Sequence, residues 1–322
     1  MTPTEHATQM PARQAPCTAD REITVGLCSR NRKDTLKQVL LTLANQSIHP
    51  DRYEVVVIDD GSTDGTAEMI SELELPYRLT YGYQEHAALA TARNHGIRLC
   101  RGNIMLYIDD DVLADHYLLE EHLRSHDQHA NCVVNGWVNH VETAEIPERP
   151  KFTMADISTS FFWTSNVSVR VQHLHEAGLF NESFKEYGWE DQELGLRLIA
   201  IGLVRKANYK AIGYHIKKPP TTSNIEGALR LAEAKARTAL HYVKMHPRQR
   251  TRFSTGTHPP RLAWAAFTNS GGLLERYCRG RLGLDSVNQE GGQPLSAHQA
   301  WCLKQLSTIH YFRQLRRGSE PS

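Results

Sequence analysis

Three adjacent carboxylates, Asp109, Asp110 and Asp111, end the apolar run IMLYIDDD. Placed side by side, such groups repel one another unless a cation or hydrogen-bond donors neutralise them. A hard divalent ion with oxygen ligands, Mn²⁺ or Mg²⁺, suits the place, because it keeps open positions for phosphate oxygens. A solvated acidic turn would be spelled the same way. A second acidic pair, Glu190 and Asp191, follows Tyr187, Gly188 and Trp189 and precedes Leu194, Leu198 and Ile201 at helical spacing. A carboxylate there can simply cap the helix. Beside aromatic rings it can also accept a proton from a hydroxyl of a stacked sugar. His215 closes the short run AIGYH. A lone histidine is usually a filler, yet an imidazole that joins two carboxylates completes a metal site.

These residues need a scaffold that brings separate stretches together. Residues 23–29 (ITVGLCS), 53–60 (YEVVVIDD), 79–84 (LTYGYQ) and 104–111 (IMLYIDDD) read as strands, each an apolar, β-prone run. Between them, 33–45, 66–75 and 87–98 carry helical patterns, with Leu36, Val39, Leu40 and Leu43 on one face of the first. Alternation of this kind predicts an α/β fold, a mostly parallel central sheet with helices on both faces. Such sheets hold ligands outside the carboxyl ends of their strands. Ser29 and Arg30, Asp60, and Asp109–Asp111 all fall at those ends. GSTDGT, with Asp64 and Thr66, is turn chemistry in its own right. Further on, 117–129 reads as a helix, 132–138 as a strand, 145–151 as a loop and 166–170 as a short strand. Residues 191–201 read as a helix and 211–216 as a strand. The remainder is helical: 225–244, a long amphipathic helix without further chemistry, then 262–279 and 297–316, with a Gly-rich linker around Gly291 and Gly292.

Composition narrows the function classes. The 322 residues carry a formal net charge of +1, so no global field points to nucleic acid. No apolar run approaches the roughly 20 residues that span a bilayer. Residues 1–21 are polar and Pro-bearing, read as a disordered lead-in rather than a signal peptide. The six cysteines lack C-x-x-C spacing, so neither a zinc site nor a disulfide framework is expected, and reduced thiols in a cytoplasmic protein are the plain reading.

Taken in order and spacing, ITVGLCSRNR, VVVIDDGSTDGT, ATARNHGI and LYIDDD resemble family 2 glycosyltransferases of the GT-A fold. The stretch FWTSNVSVRVQHLHEAGLFNESFKEYGWEDQELGLRL is similar to the C-terminal half of galactosyltransferase-like and chondroitin-polymerase-like catalytic domains. The resemblance runs from about residue 23 to 218. It implies a catalytic domain over 22–220, with a nucleotide-binding half at 22–115 and an acceptor-binding half at 116–220. A helical C-terminal extension over 221–322 would follow.

The resemblance also implies roles. Asp60 corresponds to the residue that pairs with uracil, Asp109 to the acid that holds the ribose, and Asp111 to the metal-binding acid, with Asp110 at the variable position between. Asp191 matches the catalytic base and Glu190 its neighbour that binds acceptor or donor sugar. His215 falls where many members place a further metal ligand, and Arg93 where relatives contact the donor. Position 30 departs: it is Arg where many relatives carry an aromatic residue against the base. Trp163, Trp189 and Tyr187 are candidates for the acceptor wall. The implied reaction moves a sugar from a nucleotide-sugar donor, a UDP-sugar, to a glycan, lipid-linked or other hydroxyl acceptor, by one displacement with inversion. A sugar nucleotidyltransferase would need a Gly-rich loop after the first strand, which CSRNRKD is not. A non-catalytic nucleotide- or carbohydrate-binding protein would not need the acidic triplet, Asp191 and His215 together.

In the tail, Lys244, His246, Arg248, Arg250 and Arg252 form a basic run. It reads as a solvated helix end or as a contact for anionic lipid or an anionic acceptor chain. The last helix could pack on the main domain, form a homo-oligomer contact, or lie peripherally on the inner membrane face.

Overall fold

The structure is a computed structural model that describes residues 21–153, 156, 158–284 and 292–318. Of the expected lead-in at 1–21, residues 1–20 (with Cys17) lie outside the described residues, as does Gly291, while Arg21 begins the first strand. Four strands open the chain: β1 (Arg21–Ser29), β2 (Tyr53–Asp60), β3 (Arg78–Gln84) and β4 (Gly102–Ile108). Between them run α1 (Lys33–Leu43), α2 (Thr66–Ser71) and α3 (Leu89–Leu99). There follow β5 (Val112–Ala114), α4 (Leu118–Gln128), β6 (Cys132–Val141), β7 (Asn166–Arg170), α5 (Val171–Glu176), α6 (Glu190–Ala200) and β8 (Val204–Ile216). The chain closes with α7 (Ile225–Met245), α8 (Gln249–Thr255), α9 (Pro259–Thr268), α10 (Leu273–Arg281) and α11 (Ala297–Arg317).

All eight strands form one sheet in the order β3-β2-β1-β4-β7-β6-β8-β5. The first half is parallel, as the strand–helix alternation requires. Antiparallel pairs join β4 to β7, β7 to β6 and β8 to β5, so the whole sheet is mixed. Side chains alternate across the central strands with period two. Leu106 and Ile108 join the core packed by α1 and α4, while Met105 and Tyr107 join the core packed by α3 and α6.

Two boundaries differ from the sequence reading for physical reasons. β8 starts at Val204, seven residues before the predicted strand at 211. Its first half, VRKANYK, is largely exposed and polar, so no apolar run marks it. The helix expected over 262–279 is two helices, broken where Gly271 and Gly272 take left-handed φ values of 66° and 97°. That conformation suits glycine and ends a helix.

The last helix packs on α7, burying Leu303, Leu306, Phe312 and Leu315 in two small cores with α7, α9 and α10. Among the described residues no helix is long and apolar enough to cross a membrane, and no disulfide forms.

Candidate active site

The acidic triplet lies in the turn between β4 and β5, at the carboxyl end of the parallel strands. Antiparallel pairing sets its neighbours. Val112 pairs with His215 across β5 and β8, and this places His215 Nε2 at 3.2 Å from Asp111 Oδ1. Ile108 pairs with Asn166 across β4 and β7, which brings Ser165 Oγ to donate to Asp109 Oδ2. Asp110 turns to β1, accepting from Ser29 Oγ at 2.7 Å. Arg32 Nη1 bridges Asp110 Oδ1 (2.9 Å) and Asp111 Oδ2 (2.6 Å).

The three carboxyls are electrostatically unequal. Burial raises Asp109, against the Ser165 hydrogen bond and the charge of Arg93. Burial lifts Asp110 to about 6, opposed by Arg32 and Ser29. Burial also pushes Asp111 upward, but His215 and Arg32 outweigh it and leave Asp111 below its ordinary value. His215 is raised in turn, first by its hydrogen bond to Asp111.

The second acidic pair is set by strained backbone. Gly188 and Trp189 both have left-handed φ, 106° and 72°, just before α6. For a non-glycine residue this is an uncommon conformation that its surroundings must enforce. Trp189 is held by stacking on Tyr242 of α7 at 5.9 Å, and its Nε1 donates to Lys235 O at 3.0 Å. Lys235 Nζ lies 5.5 Å from the Trp189 ring centre. The turn delivers Glu190 to Arg93 of α3, where Oε1 accepts from Nη1 at 2.6 Å. Arg93 also donates to Thr164 Oγ1 at 2.6 Å, so α3, α6 and the segment before β7 are tied at one buried point. Asp191 Oδ1 accepts from the Gln192 N–H at 2.6 Å. Burial, and then the negative charge of Glu190, raise the Asp191 pKa to about 7, against the pull of Arg93.

Asp60, at the end of β2, is closely held. Its Oδ1 accepts from Gln84 Nε2 (2.8 Å) and the Ala87 N–H (2.9 Å), and His86 Nδ1 lies 2.7 Å from Oδ2. Asp64 caps α1 by accepting from the Lys33 N–H, and it accepts from Thr66 Oγ1, in keeping with a turn role.

One cleft of about 930 Å³ gathers the candidates. Ser29, Arg30, Asp60, Arg93 and Asp109–Asp111 line it. Trp163, Tyr187, Trp189, Glu190, Asp191 and His215 complete its walls. Sequence reasoning missed Arg32, His86, Gln192 and Lys235, which also line it. Arg32 stands two residues past Arg30 and was legible only as turn polarity. Lys235 sits on α7, which the sequence presents as a plain amphipathic helix.

Do these residues fit a divalent cation? Asp111 and His215 face one point that opens into the cleft, and no third His, Cys, Asp or Glu converges there among the described residues. That donor set suits an ion that completes its shell with phosphate oxygens and water, as Mg²⁺ and similar ions do.

A model of the family described as Glycosyl transferase family 2 matches residues 24–188. An uncharacterized glycosyltransferase of Bacillus subtilis is 28% identical over 255 residues, 61% of this chain and 65% of that protein. Validoxylamine A glucosyltransferase of Streptomyces hygroscopicus is 32% identical over 219 residues, 56% of this chain and 48% of that protein. The chain thus matches less than two thirds of the length of either relative. Among solved structures, a mannosyltransferase of Pyrobaculum calidifontis in complex with GDP-Man and Mn²⁺ shares the fold, with a TM-score of 0.59 at 17% identity. That match covers 97% of this chain and 92% of that one. TarS of S. aureus in complex with UDP-GlcNAc shares it too, with a TM-score of 0.53 at 15% identity over 94% of this chain and 93% of that one. With the mixed sheet, the flanking helices and the family match over half its length, this chain belongs to glycosyl transferase family 2 and has the GT-A fold.

Proposed function

We propose that the protein moves a sugar from a nucleotide-diphosphate sugar, a UDP-sugar, to a hydroxyl of a glycan, lipid-linked or other acceptor, with inversion at the anomeric carbon. The observation that carries this reading is Asp191: a carboxylate raised to about 7, in the same cleft as the Asp111–His215 pair. A base with a pKa near the working pH combines availability with proton-accepting strength.

In this reading Asp191 takes the proton of the acceptor hydroxyl as its oxygen attacks the anomeric carbon. The bond from that carbon to the diphosphate breaks, and the nucleotide diphosphate leaves with the bonding pair. A divalent cation, Mn²⁺ or Mg²⁺, held by Asp111 and His215 would supply neutralisation of the charge on the leaving group. Asp109 and Asp60 would hold the ribose and the base, with Ser29, Arg30 and Asp110 beside them. Arg93 would act on the sugar side by fixing Glu190. Trp163 and Tyr187 would wall the acceptor, and Trp189 would hold the turn that presents Asp191.

The bound GDP-Man and Mn²⁺ of one structural neighbour, and the UDP-GlcNAc of another, support a nucleotide-sugar donor. A panel of nucleotide sugars, scored for Mn²⁺-dependent hydrolysis and thermal stabilisation, tests the reading. A ligand that binds the native state raises its melting temperature by mass action, so a hit names the donor. A non-catalytic binding protein would be stabilised by a nucleotide sugar and hydrolyse none of them.

A further inference from the structure

A second cavity, of about 540 Å³, adjoins the catalytic cleft and shares Ser160, Trp189 and Gln192 with it. Its floor is a stripe of α6, Gln192, Gly195, Leu196 and Ile199, at the i, i+3, i+4, i+7 spacing of one helix face. The stripe begins next to Asp191, so the groove leads away from the proposed base along the helix. Gly195 lets α6 sit close against Phe162: a Cβ there would lie 3.2 Å from Phe162 Cβ, tighter than ordinary packing. The far wall is α8, which contributes Arg250 and Phe253.

The wall is fixed rather than loose. His246 Nε2 lies 3.0 Å from Glu193 Oε1, and Arg197 Nη2 pairs with the same carboxylate at 2.6 Å. The first contact pins the end of α7 to α6 just before α8 begins, and the second, within α6, holds the Glu193 carboxylate in place. Phe253 leaves 64% of its surface exposed. Among the described residues, Arg250 is the only charged residue that lines the groove, and no ion pair engages it. Hydroxyls of Thr159, Ser160 and Ser254 and the Gln192 amide line the space between the aromatic rings. Sugar rings offer apolar C–H faces to aromatic surfaces and hydroxyl rims to such donors.

We infer that this groove is an acceptor subsite for an extended glycan that carries an anionic group, carboxylate or phosphate, which Arg250 binds while the reacting hydroxyl lies at Asp191. The inference rests on Asp191 as the base of a glycosyl transfer, and it adds the class of acceptor. An Arg placed beside aromatic faces in a groove without acids reads charge and geometry together.

Three probes test it by calorimetry on the full chain with UDP and Mn²⁺ present: a uronate-bearing hyaluronan tetrasaccharide, the uncharged chitotetraose, and a glycerol-phosphate trimer. At least one anionic probe is expected to bind tenfold or more tightly than chitotetraose. That preference should vanish in Arg250→Gln and reverse in Arg250→Glu, and Phe253→Ala should weaken both oligosaccharides. Which anionic probe binds distinguishes carboxylate from phosphate. Equal binding of charged and uncharged probes, no binding of either anionic probe, or a preference that survives Arg250→Gln overturns the subsite. Both positions are exposed, and melting curves confirm that the variants fold. Mn²⁺-dependent donor hydrolysis by the unmodified protein is scored separately. Its absence alongside Arg250-dependent probe binding sinks the transfer reading and leaves the groove. Its presence without such binding sinks the groove alone.

Discussion

Arg93 and Glu190 form a buried ion pair at 2.6 Å, one residue before Asp191. The pair fixes the start of α6 and sets the charge beside the proposed base. Glu190 pushes the Asp191 pKa up, while Arg93 pulls it down. Glu190→Gln removes the first influence and frees the second, so both changes lower the Asp191 pKa. The acid limb of the pH–rate profile should therefore move to lower pH, by roughly one unit. Arg93→Met leaves a buried carboxylate without its partner and should cost about 3–5 kcal/mol in urea unfolding.

The raised pKa also predicts the pH response of the wild-type protein. Transfer needs Asp191 ionised, so the rate should fall as pH drops through about 7. Stability runs the other way. An acid whose folded pKa lies above its unfolded value binds more protons when folded, so its ionisation destabilises the fold as pH rises through that window. Asp191→Asn should therefore melt higher than wild type at pH 8, on the order of a few degrees. The difference should shrink toward pH 4. Melting curves at the two pH values check the sign.

Asp111 and His215 should govern the metal requirement together. Asp111→Asn and His215→Ala should each raise the Mn²⁺ concentration for half-maximal turnover by at least about tenfold, a loss that even outer-shell partners of a metal can cause. Calorimetric titration of Mn²⁺ in the presence of UDP reads the same loss without catalysis. Normal affinity in both variants would count against the pair as ligands.

Gly136 marks where the β6–β8 register shifts. A Cβ there would collide with the Asn166 side chain and the Ala211 carbonyl oxygen. Gly136→Ala should destabilise the fold by about 1–3 kcal/mol, the usual scale of overpacking, as read by chemical denaturation.

The parallel half of the fold was legible because its strands are continuous apolar runs and its helices carry clean periodicity. Ser29, Asp60 and Asp109 could be placed at strand ends from those runs alone. The meeting of Asp111 with His215 was legible only through the family resemblance, because the apolar runs do not show that the second half of β8 returns antiparallel to β5. Arg32 and Lys235 were hidden for another reason. A charged residue in a turn or on an amphipathic helix has no pattern of its own until the fold shows what it faces. Trp189 was legible as an aromatic beside an acid, but not as the left-handed residue anchored on Tyr242.

The most direct test of the account is the turnover of Asp191→Asn, measured with the donor found in the nucleotide-sugar screen and with UDP–Mn²⁺ affinity read on the same sample. The account predicts a fall of about 10²–10⁴-fold in turnover with nucleotide affinity kept. Wild-type turnover in that variant would contradict it.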